Sequence, residues 1–183
     1  SKEVIVRQLI VGHEYRLAYD KLILSPGAAP FVPNIEGVHA EGVYTLRNIA
    51  DMDRIRDAVE TGAQGTKEAI VIGGGFIGLE MVEQLVARGY TTSLAELLPQ
   101  VLPPMDPEMV VPLHDELRHQ GVQLTLGDGI KKIAVDSAGH VTGVELQSGK
   151  VLPGSVVILG MGVRPNTKLA VDAGLTLGKT GGI

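Results

Sequence analysis

Continuous apolar runs alternate with segments of helical periodicity through the middle of the chain. Four short segments predict strands, and the first and last of them are continuous runs of apolar residues, as is typical of strands buried on both faces. The four segments cover residues 69–72, 90–95, 122–126 and 156–159. Apolar residues recur at helical spacing in residues 76–88 and 107–120, which lie between the runs. This alternation predicts an α/β fold with a Rossmann-like, doubly wound parallel sheet.

The flanking segments follow other patterns. Residues 131–135 and 140–147 are separated by a polar turn and predict an antiparallel β-meander. Near the start of the chain, polar turns separate three further predicted strands, at residues 4–6, 14–18 and 21–24. Residues 48–59 predict a helix that buries Ile49, Met52, Ile55 and Val59, leaves Asp51, Asp53 and Asp57 on a solvated face, and stops at Gly62.

A glycine-rich turn follows the first of the central strands. Gly73, Gly75 and Gly78 have G-x-G-x-x-G spacing, and a predicted helix begins within the motif. Gly73 allows a tight turn, Gly75 leaves room for a pyrophosphate beside the backbone, and Gly78 allows the helix to pack closely on the sheet. The free N–H groups of the helix N-terminus favour an anion there. The sequence therefore predicts a dinucleotide site.

An acidic residue ends the second predicted strand of this unit. Glu96 lies about 20 residues beyond the glycine turn, where a carboxylate can accept the ribose hydroxyls of the adenosine half. It would repel the 2′-phosphate of NADPH, and residues 97–100 contain no cation. NADH is therefore the expected nucleotide, with NADPH the less favoured one.

Composition narrows the class of partner. The 183 residues are 44% hydrophobic and carry a formal net charge of −5. This charge disfavours nucleic acid and acidic membranes as partners, because both select basic surfaces. The absence of cysteine excludes a disulfide or thiolate site within the chain, and the five histidines show no metal-ligand spacing. With no apolar run of membrane-spanning length and no leader pattern, the expected location is cytoplasmic.

Four motifs in order resemble the pyridine nucleotide–disulfide oxidoreductase family of flavoproteins, in the branch of CoA-disulfide reductases, NADH oxidases and NADH peroxidases. They are YDKLILSPGA at residues 19–28, YTLRN at 44–48, GGGFIGLE at 73–80 and GMGVRPN at 160–166. The resemblance implies that residues 1–46 are part of a split FAD domain and 47–65 a linker helix. It likewise implies an NAD(P)-binding domain over residues 66–165 and a returning FAD-domain segment over 166–183. The chain is then expected to be a piece of a longer protein that forms a homodimer through a domain outside it.

The resemblance also implies site residues. Phe76 would cover the nicotinamide pocket, Glu80 would hold the carboxamide, and Gly162 would leave room for the nicotinamide end. The alternatives are ordinary packing for Phe76, a solvated helix position for Glu80 and a turn glycine for Gly162. The full implied NAD set is Gly73, Gly75, Phe76, Ile77, Gly78, Glu80, Glu96 and Gly162. Ser25, Gly27 and Arg47 would lie near FAD in the longer protein.

The function implied is that of an FAD-dependent NADH oxidoreductase. Hydride would pass from NADH to flavin and onward to a disulfide, a persulfide or an oxygen or peroxide acceptor, through a cysteine outside this chain. No catalytic residue and no metal are assigned within the 183 residues, and the isolated chain is expected to be inactive. Two alternatives are a rubredoxin, ferredoxin or nitrite reductase-type flavoprotein and a non-catalytic nucleotide-binding module.

Overall fold

The chain folds into two compact units in a computed structural model that describes residues 2–62 and 65–183. The larger unit is Ala28–Arg164, and the smaller one comprises the residues up to Gly27 and those from Pro165 onward. The predicted nucleotide motif, the acid after it and the meander all lie in the larger unit.

A five-stranded parallel sheet forms the centre of the larger unit. Its strands, in spatial order, are β4 (Val43–Tyr44), β11 (Val156–Leu159), β5 (Glu68–Ile72), β6 (Thr91–Glu96) and β7 (Gln123–Leu126). The three central strands are almost fully buried, as the continuous apolar runs predict. The carboxyl ends of β11, β5 and β6 meet at one edge, which is the edge where open α/β sheets bind ligands.

Three helices cover one face of this sheet. They are α1 (Ile49–Thr61), α2 (Phe76–Ala87) and α3 (Pro107–His119). The alternation of side chains along β5 divides the core, because Ala69 and Val71 pack on the helix side while Ile70 and Ile72 face the other way.

An antiparallel meander covers the second face. Its strands are β8 (Ile130–Val135), β9 (Val141–Leu146) and β10 (Val151–Pro153), in the order β10-β9-β8. Ile133, Val144, Leu146 and Leu152 are buried against the far side of the parallel sheet. The predicted fold class, with its inserted meander, is confirmed.

Short elements complete the chain. β1 (Glu3–Arg7) and β2 (Glu14–Ala18) form a two-stranded antiparallel ribbon, β3 (Ala28–Pro30) pairs with β12 (Val163–Pro165), and α4 (Lys168–Asp172) lies near the end. The strand expected at residues 21–24 does not form. These residues pair with no strand in the described part of the chain, and an apolar run without a hydrogen-bonding partner cannot become a ladder.

The start of α1 corrects one expectation. Asp51 is not on a solvated face, since only 8% of it is exposed. Its carboxylate accepts the N–H groups of Arg47 and Asn48, and the Asn48 side chain accepts the Asp51 N–H, which makes a reciprocal capping box. Ile55 and Val59 are buried as predicted, whereas the earlier positions Ile49 and Met52 are exposed.

Candidate functional site

The turn between β5 and α2 is held by close backbone packing at two of its glycines. Gly73 has φ +106°, and its N–H donates to the Ala95 carbonyl at 2.8 Å. A Cβ on Gly73 would collide with the Gly160 carbonyl, and one on Gly78 would collide with the Gly73 carbonyl. Both positions therefore require glycine, and the tight turn at Gly73 and the close packing at Gly78 are those that the motif predicts.

The remaining glycine of the motif faces open space. Gly75 precedes the first residue of α2 with an extended backbone, at φ −79° and ψ −175°, and no heavy atom lies within 4 Å of where its Cβ would be. No side chain caps this helix end, so the N–H groups of its first turn remain available to an anion. The fit is that of a pyrophosphate cradle that a side chain would fill.

The carboxylate of Glu96 lies beside this turn. Its Oε2 accepts the Gly74 N–H at 2.6 Å, and its Oε1 accepts the Leu98 N–H at 2.8 Å. Glu96 is only 9% exposed, and it ends β6 next to the carboxyl end of β5. The two backbone bonds hold the carboxylate in one orientation at the sheet edge.

The loop after β6, residues 97–106, packs against the same turn. The Leu102 N–H donates to the Gly74 carbonyl at 2.8 Å, and the fully buried Val101 lies against Gly74. The Val101 N–H donates to Nε2 of His114 on α3 at 3.2 Å. Leu102 has φ +45°, a conformation that a leucine keeps only when its surroundings fix it.

A cavity of about 510 Å³ opens at this edge of the sheet. Gly73, Gly75, Glu96 and Gly162 all line it, so the structure brings four of the predicted nucleotide residues together. Its wall beyond Glu96 comes from the β6–α3 loop, the connection between β7 and β8, and the meander. Those residues are Leu97, Leu98, Pro103, Asp128, Gly129, Ile130 and Gln147.

The opposite wall of the cavity follows the end of β11. It consists of Phe31, Pro33, Gly160, Met161 and Gly162. The Phe31 N–H donates to the Gly162 carbonyl at 2.9 Å, and the Arg164 guanidinium lies 4.2 Å from the centroid of the Phe31 ring. This stacking holds the aromatic ring at the cavity wall.

The whole chain, residues 1–183, matches the family described as pyridine nucleotide-disulphide oxidoreductase. The chain belongs to this family. The resemblance carried by the four motifs is therefore confirmed, and the family consists of NAD(P)H-dependent flavoprotein oxidoreductases.

The relatives are longer than this chain. An NADH oxidase of Methanocaldococcus jannaschii is 38% identical over 169 residues, which are 92% of this chain and 37% of that protein. The reduced CoADR-RHD structure from Bacillus anthracis has a TM-score of 0.90 at 41% identity and covers 98% of this chain and 31% of its own. An NAD-dependent persulfide reductase from A. fulgidus has a TM-score of 0.90 at 37% identity, with 98% and 32% covered. The chain thus spans about a third of the length of these family members.

Other predicted NAD residues lie outside the cavity wall. Phe76 is 69% exposed, and Ile77 and Glu80 are also exposed. Glu80 lines a groove between α2 and α3 rather than the cavity at the sheet edge. Gly78 is buried beneath the turn. The roles of Phe76, Ile77 and Glu80 toward the nicotinamide remain predictions.

The residues predicted for FAD are divided between the two units. Ser25 and Gly27 are exposed residues of the smaller unit, and Arg47 is an exposed residue of the larger one. Gly27 has φ +72°, a left-handed conformation that suits glycine, and the Arg47 N–H bonds to Asp51. Their contact with flavin remains a prediction for the longer protein.

Several cavity residues were missed by sequence reasoning. Asp128 and Gly129 reach the site from the connection between β7 and β8, Gln147 follows β9, and His114 supports the site from α3. No local motif marks them, because only the folded sheet brings them to the glycine turn. Gly160 could have been found from the sequence, since it opens the GMGVRPN motif. In the structure, a Cβ added to Gly160 would stand 3.2 Å from the Cα of Gly78.

Over residues 2–62 and 65–183, no group of three or more acidic or histidine side chains is arranged to hold a metal ion. Within the same residues, every helix is too short or too polar to cross a bilayer.

Proposed function

We propose that the larger unit binds NADH and presents its nicotinamide to the flavin of an FAD-dependent oxidoreductase. The observation that carries this proposal is the open space at Gly75, directly beside the buried carboxylate of Glu96. A pyrophosphate at the start of α2 would receive the free N–H groups there, and a ribose one step along the sheet edge would meet Glu96.

The two walls of the cavity suit the two halves of the nucleotide. The adenosine half would lie between Leu97, Leu98 and Ile130, on the side of β6 and β7. The nicotinamide half would extend toward Gly162 and Phe31, on the side of β11. When bound, NADH supplies the hydride and flavin accepts it, so this chain contributes binding and orientation.

The charge of Glu96 favours NADH over NADPH. A 2′-phosphate on the adenosine ribose would lie near the carboxylate, and two like charges at about 4 Å repel by roughly 4 kcal/mol at a surface-like dielectric, before screening by solvent and ions. None of residues 97–105 in the adjoining loop is charged, so this loop offers no compensating cation.

The acceptor is proposed to be a disulfide, a persulfide, oxygen or peroxide. The support is that the relatives are named NADH oxidase and NAD-dependent persulfide reductase. The redox cysteine and the dimer interface are proposed to lie in parts of the longer protein outside this chain. A cytoplasmic location and the absence of nucleic-acid or membrane partners stay predictions, to be tested by fractionating cells that express the longer protein.

Calorimetric titration of the 183-residue chain tests the nucleotide assignment. We expect saturable binding of NADH and of ADP-ribose, no stoichiometric FAD, and loss of both binding events in Gly75→Val. Gly182→Val is the matched control, because Gly182 also faces open space without a left-handed φ but lies far along the chain from the motif. Failure of both nucleotides to bind at millimolar concentration, or equal binding by the Gly75→Val variant, would refute the proposal.

A further inference from the structure

The β6–α3 loop, residues 97–106, packs against the glycine turn at Gly74. Val101 packs against Gly74 so tightly that a Cβ on Gly74 would stand 2.8 Å from Val101 Cγ1. The next residue, Leu102, donates its N–H to the Gly74 carbonyl at 2.8 Å. Gly74 is therefore fixed from one side by this loop and from the other by the carboxylate of Glu96.

A single side chain anchors this loop to α3 at the same point. The Val101 N–H donates to Nε2 of His114 at 3.2 Å. An imidazole nitrogen accepts a hydrogen bond only when it carries no proton, so the ring must be neutral with its proton on Nδ1. Successive contacts thus join Glu96, Gly74, Val101 and His114. Protonation of the His114 ring would break the last of them, the hydrogen bond from the Val101 N–H.

The surroundings of His114 favour the neutral ring. Burial lowers its pKa from the ordinary value of 6.5, the positive charge of Arg118 lowers it further, and Asp115 opposes them. Both charged neighbours belong to α3 itself, while residues 97–105 of the facing loop carry no charge. A depressed pKa means that the anchor is intact above about pH 6.5 and is lost as the pH falls through the lower pKa of the folded chain.

We propose that His114 is a positioning residue for dinucleotide binding: its neutral imidazole fixes the loop that backs Gly74, and protonation of Nε2 releases that loop and weakens nucleotide affinity. The inference rests on the proposed nucleotide function. His114 does not line the cavity, so its effect passes through Val101 and Gly74.

Replacing His114 with glutamine distinguishes its role as a hydrogen-bond acceptor from the packing of its side chain. The Oε1 atom of a glutamine can stand where Nε2 of the histidine stands and accept the same N–H, but it does not titrate. Leucine fills similar space and accepts no hydrogen bond. His119→Gln, on an exposed residue in the last turn of the same helix, is the matched control.

The test is the affinity for NAD⁺, which is stable in acid, measured by calorimetry at about pH 8 and about pH 4.5. Between these values the unmodified chain and His119→Gln should each lose at least about threefold more affinity than His114→Gln loses. His114→Leu should bind weakly at both values. Because Glu96 is present in every variant, its contribution cancels in the comparison. The same pH profile for the unmodified chain and His114→Gln would overturn the proposal.

Amide hydrogen exchange in the nucleotide-free chain gives an independent readout. The Val101 N–H should exchange faster in His114→Leu than in the unmodified chain, and it should be protected again in His114→Gln. Unchanged Val101 exchange in His114→Leu would refute the anchor itself. If the anchor is present but no nucleotide binds at either pH, the proposed function fails instead.

Discussion

Glu96 Oε2 accepts the N–H of Gly74 at 2.6 Å, which joins the end of β6 to the turn before α2. The other carboxylate oxygen accepts the Leu98 N–H, so one side chain serves two backbone donors. Glu96 thus has a structural role in the nucleotide-free chain in addition to the ribose contact proposed for it. Substitutions there must be interpreted with both roles in view.

Replacing Glu96 should change the preference between the two nucleotides. Glu96→Gln should weaken NADH binding, because an amide has one acceptor oxygen for two N–H groups, but it should weaken NADPH binding less. Glu96→Arg should bring the two affinities close together or reverse them. Dissociation constants for NADH and NADPH, measured at fixed salt, give the ratio of the two affinities, and a change in this ratio tests the prediction.

One control variant accompanies this ratio. Glu83→Gln, on an exposed acid of α2, removes the same charge without touching the cavity and should leave both affinities unchanged. An unmodified chain that binds NADPH at least as tightly as NADH would remove the specificity role from Glu96.

The glycines of the turn should separate folding from binding. Gly75→Val should change the free energy of unfolding by less than about 0.5 kcal/mol, since its side chain enters open space, yet nucleotide affinity should fall by at least tenfold. Gly78→Val should cost about 3 kcal/mol or more, because the obstacle is the Gly73 backbone carbonyl. Thermal melts and titrations compare the two; similar melting temperatures would contradict the packing described for Gly78.

Gly162 tests the nicotinamide end of the cavity. Its φ of +88° lies in the left-handed region, so Gly162→Ala should lower the free energy of unfolding by about 1–2 kcal/mol. The added methyl group should weaken binding of NADH more than binding of ADP-ribose, which has no nicotinamide. Equal losses for the two ligands would place Gly162 away from that end.

The capping box of α1 predicts a measurable effect on stability and on its pH dependence. Asp51→Ala should cost about 1–2 kcal/mol, because the Arg47 and Asn48 N–H groups lose their acceptor, while Asp57→Ala, on a more exposed neighbour, should cost much less. The hydrogen bond from Arg54 and the backbone N–H groups lower the pKa of Asp51 below its ordinary value of 3.8.

A depressed carboxyl pKa stabilises the fold above the ordinary value and loses that contribution as the pH falls through the lower, folded-state pKa. Asp51→Ala should therefore flatten the acid side of the stability curve below about pH 4. Denaturant melts across that range measure it, and parallel curves for Asp51→Ala and Asp57→Ala would disagree with the assignment.

Local chemistry explains what could be predicted from the sequence. The strand bounds at residues 14–18 and 156–159 agree with the structure, because consecutive residues alone show the pattern that predicts them. Over most of the first strand polar and apolar residues alternate, and in the second all residues are apolar. The tight turn at Gly73 and the close packing at Gly78 also follow from the sequence, since each depends on the turn that the motif itself forms. Glu96 was placed correctly at the end of its strand for the same reason.

Contacts over long sequence separations could not be predicted. That the meander covers the second face of the sheet, and that Gln147 reaches the cavity, depends on how the elements pack in space. Likewise, His114 was dismissed as a metal ligand from its spacing alone, and nothing in its neighbourhood indicated a bond to Val101. Asp51 is different, because the Asn48-to-Asp51 spacing is itself a capping signal, which the prediction of a solvated face leaves out.

The ribbon of β1 and β2 has a practical consequence. Every residue of β2 is exposed, the cross-strand pairs Arg7–Glu14 and Arg16–Glu3 lie at the surface, and Leu9 and Ile10 at its tip are 88% and 96% exposed. A two-stranded ribbon with so little buried area opens readily, and exposed ion pairs add little to it. Trypsin should therefore cut first at Arg7 and Arg16, well before Arg118 in α3. Limited digestion is thus a direct way to trim the chain toward the larger unit and to ask whether that unit alone keeps the nucleotide affinity.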